Sequence, residues 1–179
     1  KVAPETFWEL GAKVTVIGNQ PNGKNINLNC GSTNTDLLKK IVVEERADIG
    51  IALDGDADRM IIVDEKGEEV DGNLLLASIV KNWNDRGILE NKSVASTIMA
   101  NFALENYLSG IGIDLIRTSV GDRHLVKSMR ENNLKIGGEP SGHIVMSNFG
   151  TTGDGLIASL QVLSMMCSED RPISELVNL

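Results

Sequence analysis

Apolar β-branched runs and amphipathic helical stretches alternate along this chain, and few architectures satisfy that order. "KVTVIG" (13–18) and "DIGIALD" (48–54) read as strands, and "RMIIVDEKGEEV" (59–70) as two short strands around a Lys-Gly turn. Helical spacing marks "APETFWELG" (3–11), with a glycine stop, and "NTDLLKKIVVEERA" (34–47), with Asn34 or Thr35 as N-cap. Between them "GNQPNGKNIN" (18–27) carries two turn signals. The grammar then repeats. "DGNLLLASIVKNWNDRG" (71–87) opens a new helix, and strand–helix pairs follow at "KSVASTIM"/"ANFALENYLSG" and "IDLIRTS"/"GDRHLVKSMRENN". "KIGGE" and "HIVMS" are short strands around a loop. "TTGDGLIASLQVLSMMC" (151–167) runs into a helix with Leu156, Leu160 and Leu163 on one face. Such alternation predicts α/β layers with mostly parallel sheets. The reading is two consecutive domains, 1–72 and 73–179.

Charge narrows the partners. The formal net charge is -8, the opposite of what phosphate backbones or anionic lipid surfaces attract, so neither nucleic acid nor membrane is expected as a partner. No apolar run reaches spanning length and no signal-peptide pattern opens the chain, although the chain opens mid-helix without Met and the missing signal carries little; the location expected is cytoplasmic. Cys30 and Cys167 share no metal-ligand spacing with each other or with His124 and His143, and are expected to be ordinary reduced thiols.

The most charged stretch is "ALDGDADRMIIVD" (52–64). Asp54, Asp56 and Asp58 recur at every second residue, and Arg59 follows at once. In an extended chain that spacing points side chains the same way. Gly55 and Ala57 let the segment curl. Converging carboxylates repel one another unless a cation sits among them. All-oxygen ligands without His or Cys suit Mg²⁺, Mn²⁺ or Ca²⁺. A solvated acidic turn fits the spacing equally well. An EF-hand loop does not, because its sixth position needs Gly and here is Arg59, and the flanks read as strands. An aspartyl-phosphate nucleophile is not excluded by spacing. Arg59 supplies a planar fork of donors for phosphate oxygens, which favours a metal cage beside a phosphate.

Three further stretches carry candidates. In "GGEPSGHIV" (137–145), glycines bracket Glu139, Ser141 and His143; a carboxylate and a hydroxyl on a tight loop suit sugar hydroxyls. "RTSVGDRHL" (117–125) places Gly121, Asp122 and Arg123 at a strand-to-helix turn, where α/β sheets hold ligands. "TTGDG" (151–155) reads as a helix start.

Taken together, these motifs resemble the α-D-phosphohexomutase superfamily, and within it the bacterial phosphoglucosamine mutases. "CGSTNTDLLKKIVVEERADIGIALDGDADR" (30–59) looks like the second of the family's four domains. "RTSVGDRHLVKSM", "GGEPSGHIV" and "TTGDGLIASLQVL" look like its third, in the family's order. The resemblance implies an isomerase that moves a phosphoryl group from a phosphoserine to a sugar phosphate and back through a bisphosphate. It implies interconversion of glucosamine 6-phosphate and glucosamine 1-phosphate, on the route to peptidoglycan precursors. It implies Mg²⁺ on Asp54, Asp56 and Asp58, Arg59 in a supporting role, and sugar contacts from Glu139 and Ser141. His143, Asp122 and Arg123 would line the same cleft. The family's serine domain and phosphate-gripping fourth domain have no counterpart in these residues, and the second domain's first strand is not seen. The chain by itself is therefore expected to be inactive, and to be prone to self-association at an open sheet edge. Ala57 stands where the family has Gly, which matters if that position needs a positive φ. Pro140 stands where the nearest members have Gln, which leaves sugar preference open. A sister mutase acting on mannose or glucose phosphates, and a non-catalytic metal-binding α/β module, are the alternatives.

Overall fold

The structure, a computed structural model, describes residues 2–179. Its first part comprises helix α1 (Val2–Glu9), helix α2 (Asp36–Glu45) and an antiparallel pair, β1 (Gly50–Leu53) and β2 (Met60–Val63). Helix α3 (Gly72–Asp85) follows, then β3 (Ser93–Thr97), α4 (Phe102–Gly110), β4 (Asp114–Thr118), α5 (Asp122–Glu131), β5 (Ile136–Gly138) and β6 (Ile144–Met146). Helix α6 (Gly155–Glu169) and the short α7 (Ile173–Leu176) complete the order.

The second sheet runs β4-β3-β5-β6, parallel across its first three strands, with β6 antiparallel to β5. Mixed α/β layering is therefore as expected. The mostly parallel character holds only in this sheet, because β1 and β2 form a hairpin-like pair. Lys13–Gly18 is not a strand. Its alternating valines favour extended backbone, but among the described residues no neighbouring strand offers it a ladder.

Helix starts follow side-chain chemistry. The Asp71 carboxylate accepts from the Asn73 and Leu74 N–H groups at the head of α3, and Asn101 and Asp154 cap α4 and α6 in the same way. Thr35 occupies the N-cap of α2 but makes no capping bond; its hydroxyl donates to Glu69 at 2.6 Å instead. Helix α6 buries Gly155, Ala158, Ser159, Val162 and Met165 rather than the leucine row, which lies half-buried beside that face. Small residues win the inner face because α6 packs directly on β2, where Ser159 Oγ lies 3.2 Å from Met60 Sδ.

One hydrophobic core crosses from the first part to the second. Met60, Ile62 and Val70 pack in the same cluster as Leu75, Leu76, Ile79, Trp83, Val162 and Ile173. Full burial of each such side chain contributes about 1.5–3 kcal/mol, so the strand that follows the acidic loop is anchored to the second sheet's layer.

Candidate functional site

Two loops meet where that shared core reaches the surface. Residues 54–59 leave β1, curl, and enter β2; residues 139–143 connect β5 to β6. Their backbones are joined. The Met60 N–H donates to Gly142 O at 3.1 Å, and Arg59 and His143 form an isolated antiparallel bridge. From the third side the Gly155 N–H, at the head of α6, donates to Ala57 O at 2.8 Å. The acidic loop is thus held by elements about a hundred residues further along the chain.

The three aspartates converge. One carboxylate oxygen from each of Asp54, Asp56 and Asp58 lies within 4.8 Å of the others. They are not equivalent. Asp54 is buried and already engaged: Arg59 Nε donates to its Oδ2 at 2.7 Å and the Arg59 N–H to its Oδ1 at 3.2 Å. Asp56 is exposed. Asp58 is split. Its Oδ2 faces His143 Nδ1 at 3.2 Å, whereas its Oδ1 is buried without a hydrogen-bond partner. A buried carboxylate oxygen with no hydrogen bond, 3.6 Å from Arg59 Nε and beside two further carboxylates, is an arrangement a hard divalent cation would satisfy.

The electrostatics agree. Burial, then the charges of Asp54 and Asp56, push the Asp58 carboxyl above its usual range, with His143 opposing. For Arg59, burial works to lower the pKa, but the Asp54 and Asp58 carboxylates outweigh it and raise it, so the guanidinium stays charged. The cage holds surplus negative charge that one arginine does not neutralise.

The neighbouring loop is tied to the head of α5. Glu139 Oε1 accepts from the Gly121 N–H at 3.2 Å, and Ser141 Oγ donates to Glu139 Oε2 at 3.3 Å. Ser141 is exposed and Glu139 half-buried. His143 is only 4% exposed. Its Nε2 lies 2.9 Å from Asp122 Oδ1, so the ring stands between Asp122 and Asp58. A Cβ on Gly153 would collide with that ring, so this glycine of the "TTGDG" stretch gives the imidazole its room. Arg123 is set apart. It lines, with Val126, Lys127 and Arg130, a shallow depression of about 560 Å³ on the flank of α5, which includes none of the three converging aspartates and touches their surroundings only through Asp122.

Asp54, Asp56, Asp58, Arg59, His143 and Asp122 therefore form one connected constellation, with Glu139 and Ser141 beside it. Sequence reasoning missed the roles of Gly153, of the Gly121 N–H and of the Ala57 carbonyl. The doubled glycines in "GGEPSG" and "TTGDG" were the available sign that backbones approach closely there.

Comparison with known proteins decides the lineage. Residues 71–179 match the family pattern described as phosphoglucomutase/phosphomannomutase, alpha/beta/alpha domain III, and residues 1–67 match its alpha/beta/alpha domain II. The chain belongs to the phosphoglucomutase/phosphomannomutase family. Among curated members of that family, the phosphoglucosamine mutase of Parvibaculum lavamentivorans is 52% identical over 179 residues, 100% of this chain and 40% of that protein. The phosphoglucosamine mutase of Rhizobium rhizogenes is 56% identical over 175 residues, 98% of this chain and 39% of its own length. The chain thus spans about two fifths of the relatives it matches. A solved phosphoglucomutase/phosphomannomutase family protein from Burkholderia thailandensis shares the fold, with a TM-score of 0.82, 21% identity, and coverage of 97% of this chain and 38% of that one. Among the described residues no helix is long and apolar enough to cross a membrane.

Proposed function

We propose that the protein carrying this chain is a phosphoglucosamine mutase, interconverting glucosamine 6-phosphate and glucosamine 1-phosphate in the cytoplasm. The observation that carries this reading is the meeting of the aspartate cage with the Glu139–Ser141 loop, in a chain 52–56% identical to phosphoglucosamine mutases. Asp54, Asp56 and Asp58 would hold Mg²⁺, which when bound neutralises charge on a transferring phosphoryl group. Glu139 accepts and Ser141 donates or accepts, so the pair can hold sugar hydroxyls in either orientation of a bisphosphate. Arg59 keeps Asp54 oriented through its Nε and leaves its remaining N–H donors for phosphoryl oxygens.

Domains 1–72 and 73–179 would correspond to the family's second and third domains, and the phosphoserine would come from outside these residues. The 179-residue chain alone is accordingly proposed to be inactive and to bind Mg²⁺ weakly. The test is turnover of glucosamine 6-phosphate by the full-length protein, compared with mannose and glucose phosphates. Preference for glucosamine 6-phosphate by ten-fold or more supports the reading. Faster turnover of mannose or glucose phosphates replaces it with the sister activity.

A further inference from the structure

The Asp58–His143–Asp122 alignment has a direction. Asp58 offers two oxygens, and only one is hydrogen-bonded. The His143 ring occupies Oδ2 at 3.2 Å, which leaves Oδ1 buried without a hydrogen bond, its nearest recorded ionic neighbour being Arg59 Nε at 3.6 Å. A carboxylate pinned through one oxygen presents the other in a fixed position. The ring that pins it has few alternatives: it is 4% exposed and packed against the Gly153 backbone. Its far nitrogen, Nε2, meets Asp122 Oδ1 at 2.9 Å. Asp122 is the first residue of α5, where the helix's free N–H groups favour a carboxylate. The preceding N–H, of Gly121, holds Glu139. A single turn thus braces both the cage and the sugar-facing loop.

We propose that Asp122 is a positioning residue rather than a substrate ligand: through the His143 imidazole it orients Asp58 so that Oδ1 points at the cation. Carboxylate–imidazole pairs behind metal ligands act in this way, and their loss weakens metal binding by roughly 10- to 100-fold. Here the imidazole orients a carboxylate ligand instead of ligating the metal itself. The inference rests on the reading of the three aspartates as a metal cage.

The experiment is an electron paramagnetic resonance titration of the full-length protein with Mn²⁺ alone, without substrate. The variants are D58N, D122A, D122N, H143A and D122A/H143A. D58N, which alters the ligand itself, is expected to lose most binding. D122A and D122N are each expected to weaken Mn²⁺ by about 10-fold. In the H143A background D122A is expected to add less than two-fold, because its effect travels through the ring. Melting of each variant in EDTA separates this from misfolding, and D122N, nearly isosteric, covers the case in which D122A melts early. Affinity within two-fold of wild type in both Asp122 variants overturns the positioning role, as does an undiminished Asp122 effect without His143. If wild type and D58N bind Mn²⁺ equally, the metal cage itself is wrong, a distinct outcome that removes the positioning role with it.

Discussion

Met60 and Gly142 meet backbone to backbone. The Met60 N–H donates to Gly142 O at 3.1 Å, and Gly142, at φ +86°, lies so close that a Cβ there would collide with the Met60 carbonyl. Gly142→Ala is therefore expected to cost roughly 3 kcal/mol, from the left-handed backbone (about 1–2 kcal/mol) and the displaced contact together. Urea unfolding measures it. Because the same displacement would draw Asp58 away from His143, weaker Mg²⁺ binding should accompany the loss. A cost below about 1 kcal/mol would mean the two loops are not locked together.

Ala57 sits at φ +58°, in the left-handed region, at the tip of the aspartate loop. The position does need a positive φ, so a side chain with a Cβ is not neutral there. An alanine there carries about 1–2 kcal/mol of backbone strain. Glycine would relieve it but would enlarge the unfolded ensemble by roughly 0.5–1 kcal/mol. Ala57→Gly is expected to stabilise by about 0.5–1 kcal/mol net, seen as a higher urea midpoint with an unchanged slope. A lower midpoint would show that the loop is relaxed as it stands.

Much of the fold was legible because local patterns and tertiary structure agree: α2 through α5 and β1 through β6 fall within the stretches that periodicity marks, α6 runs two residues past its own, and of the two strands expected over 59–70 only β2 forms, with Glu69 making an isolated bridge to Val63. Three things were not legible. Lys13–Gly18 has a strand's composition, but a strand exists only where a partner supplies a ladder. The inner face of α6 is set by the room above Met60, which admits Ala158 and Ser159 and turns the larger leucines aside. The Asp58–His143–Asp122 alignment joins residues 85 and 21 positions apart, and no spacing rule spans that distance. The aspartate triplet was visible because its members are near in sequence; the groups that orient it come from the other half of the chain.

Glu65 and Ser174 fasten the end of β2 to α7. The Ser174 hydroxyl donates to Glu65 Oε1 and its N–H to Oε2 at 3.3 Å. Burial alone would raise the Glu65 pKa, but these bonds outweigh it and hold the carboxyl below its usual range. A depressed carboxylate stabilises the fold above its unfolded-state pKa, and that stability disappears as pH falls through the folded-state value. Ser174→Ala, which removes the hydroxyl bond and keeps the N–H, is expected to cost about 1 kcal/mol at pH 7. The difference from wild type should shrink as pH drops below the ordinary glutamate range. Thermal melts across that range check it; a difference that stays constant with pH would point to lost packing instead.

Asp58 carries the opposite sign. Its carboxyl is pushed up by burial and by Asp54 and Asp56, so in the metal-free protein its ionised form costs the fold stability. The cost is absent below the unfolded-state pKa, where both states are protonated, and is complete above the folded-state value. Asp58→Asn removes it, so in EDTA at pH 7 the variant is expected to melt higher than wild type, and the gain should vanish on acidification. With Mg²⁺ the order should reverse. Wild type gains stability with rising Mg²⁺ as the cation satisfies Asp58 Oδ1, while the variant, short of one anionic ligand, gains little. Melting curves with EDTA and with graded Mg²⁺ at two pH values test both halves. If Asp58→Asn lowers the metal-free melting temperature, the Asp58–His143 bond outweighs the carboxylate repulsion. If both proteins respond alike to Mg²⁺, the cation does not sit on Asp58.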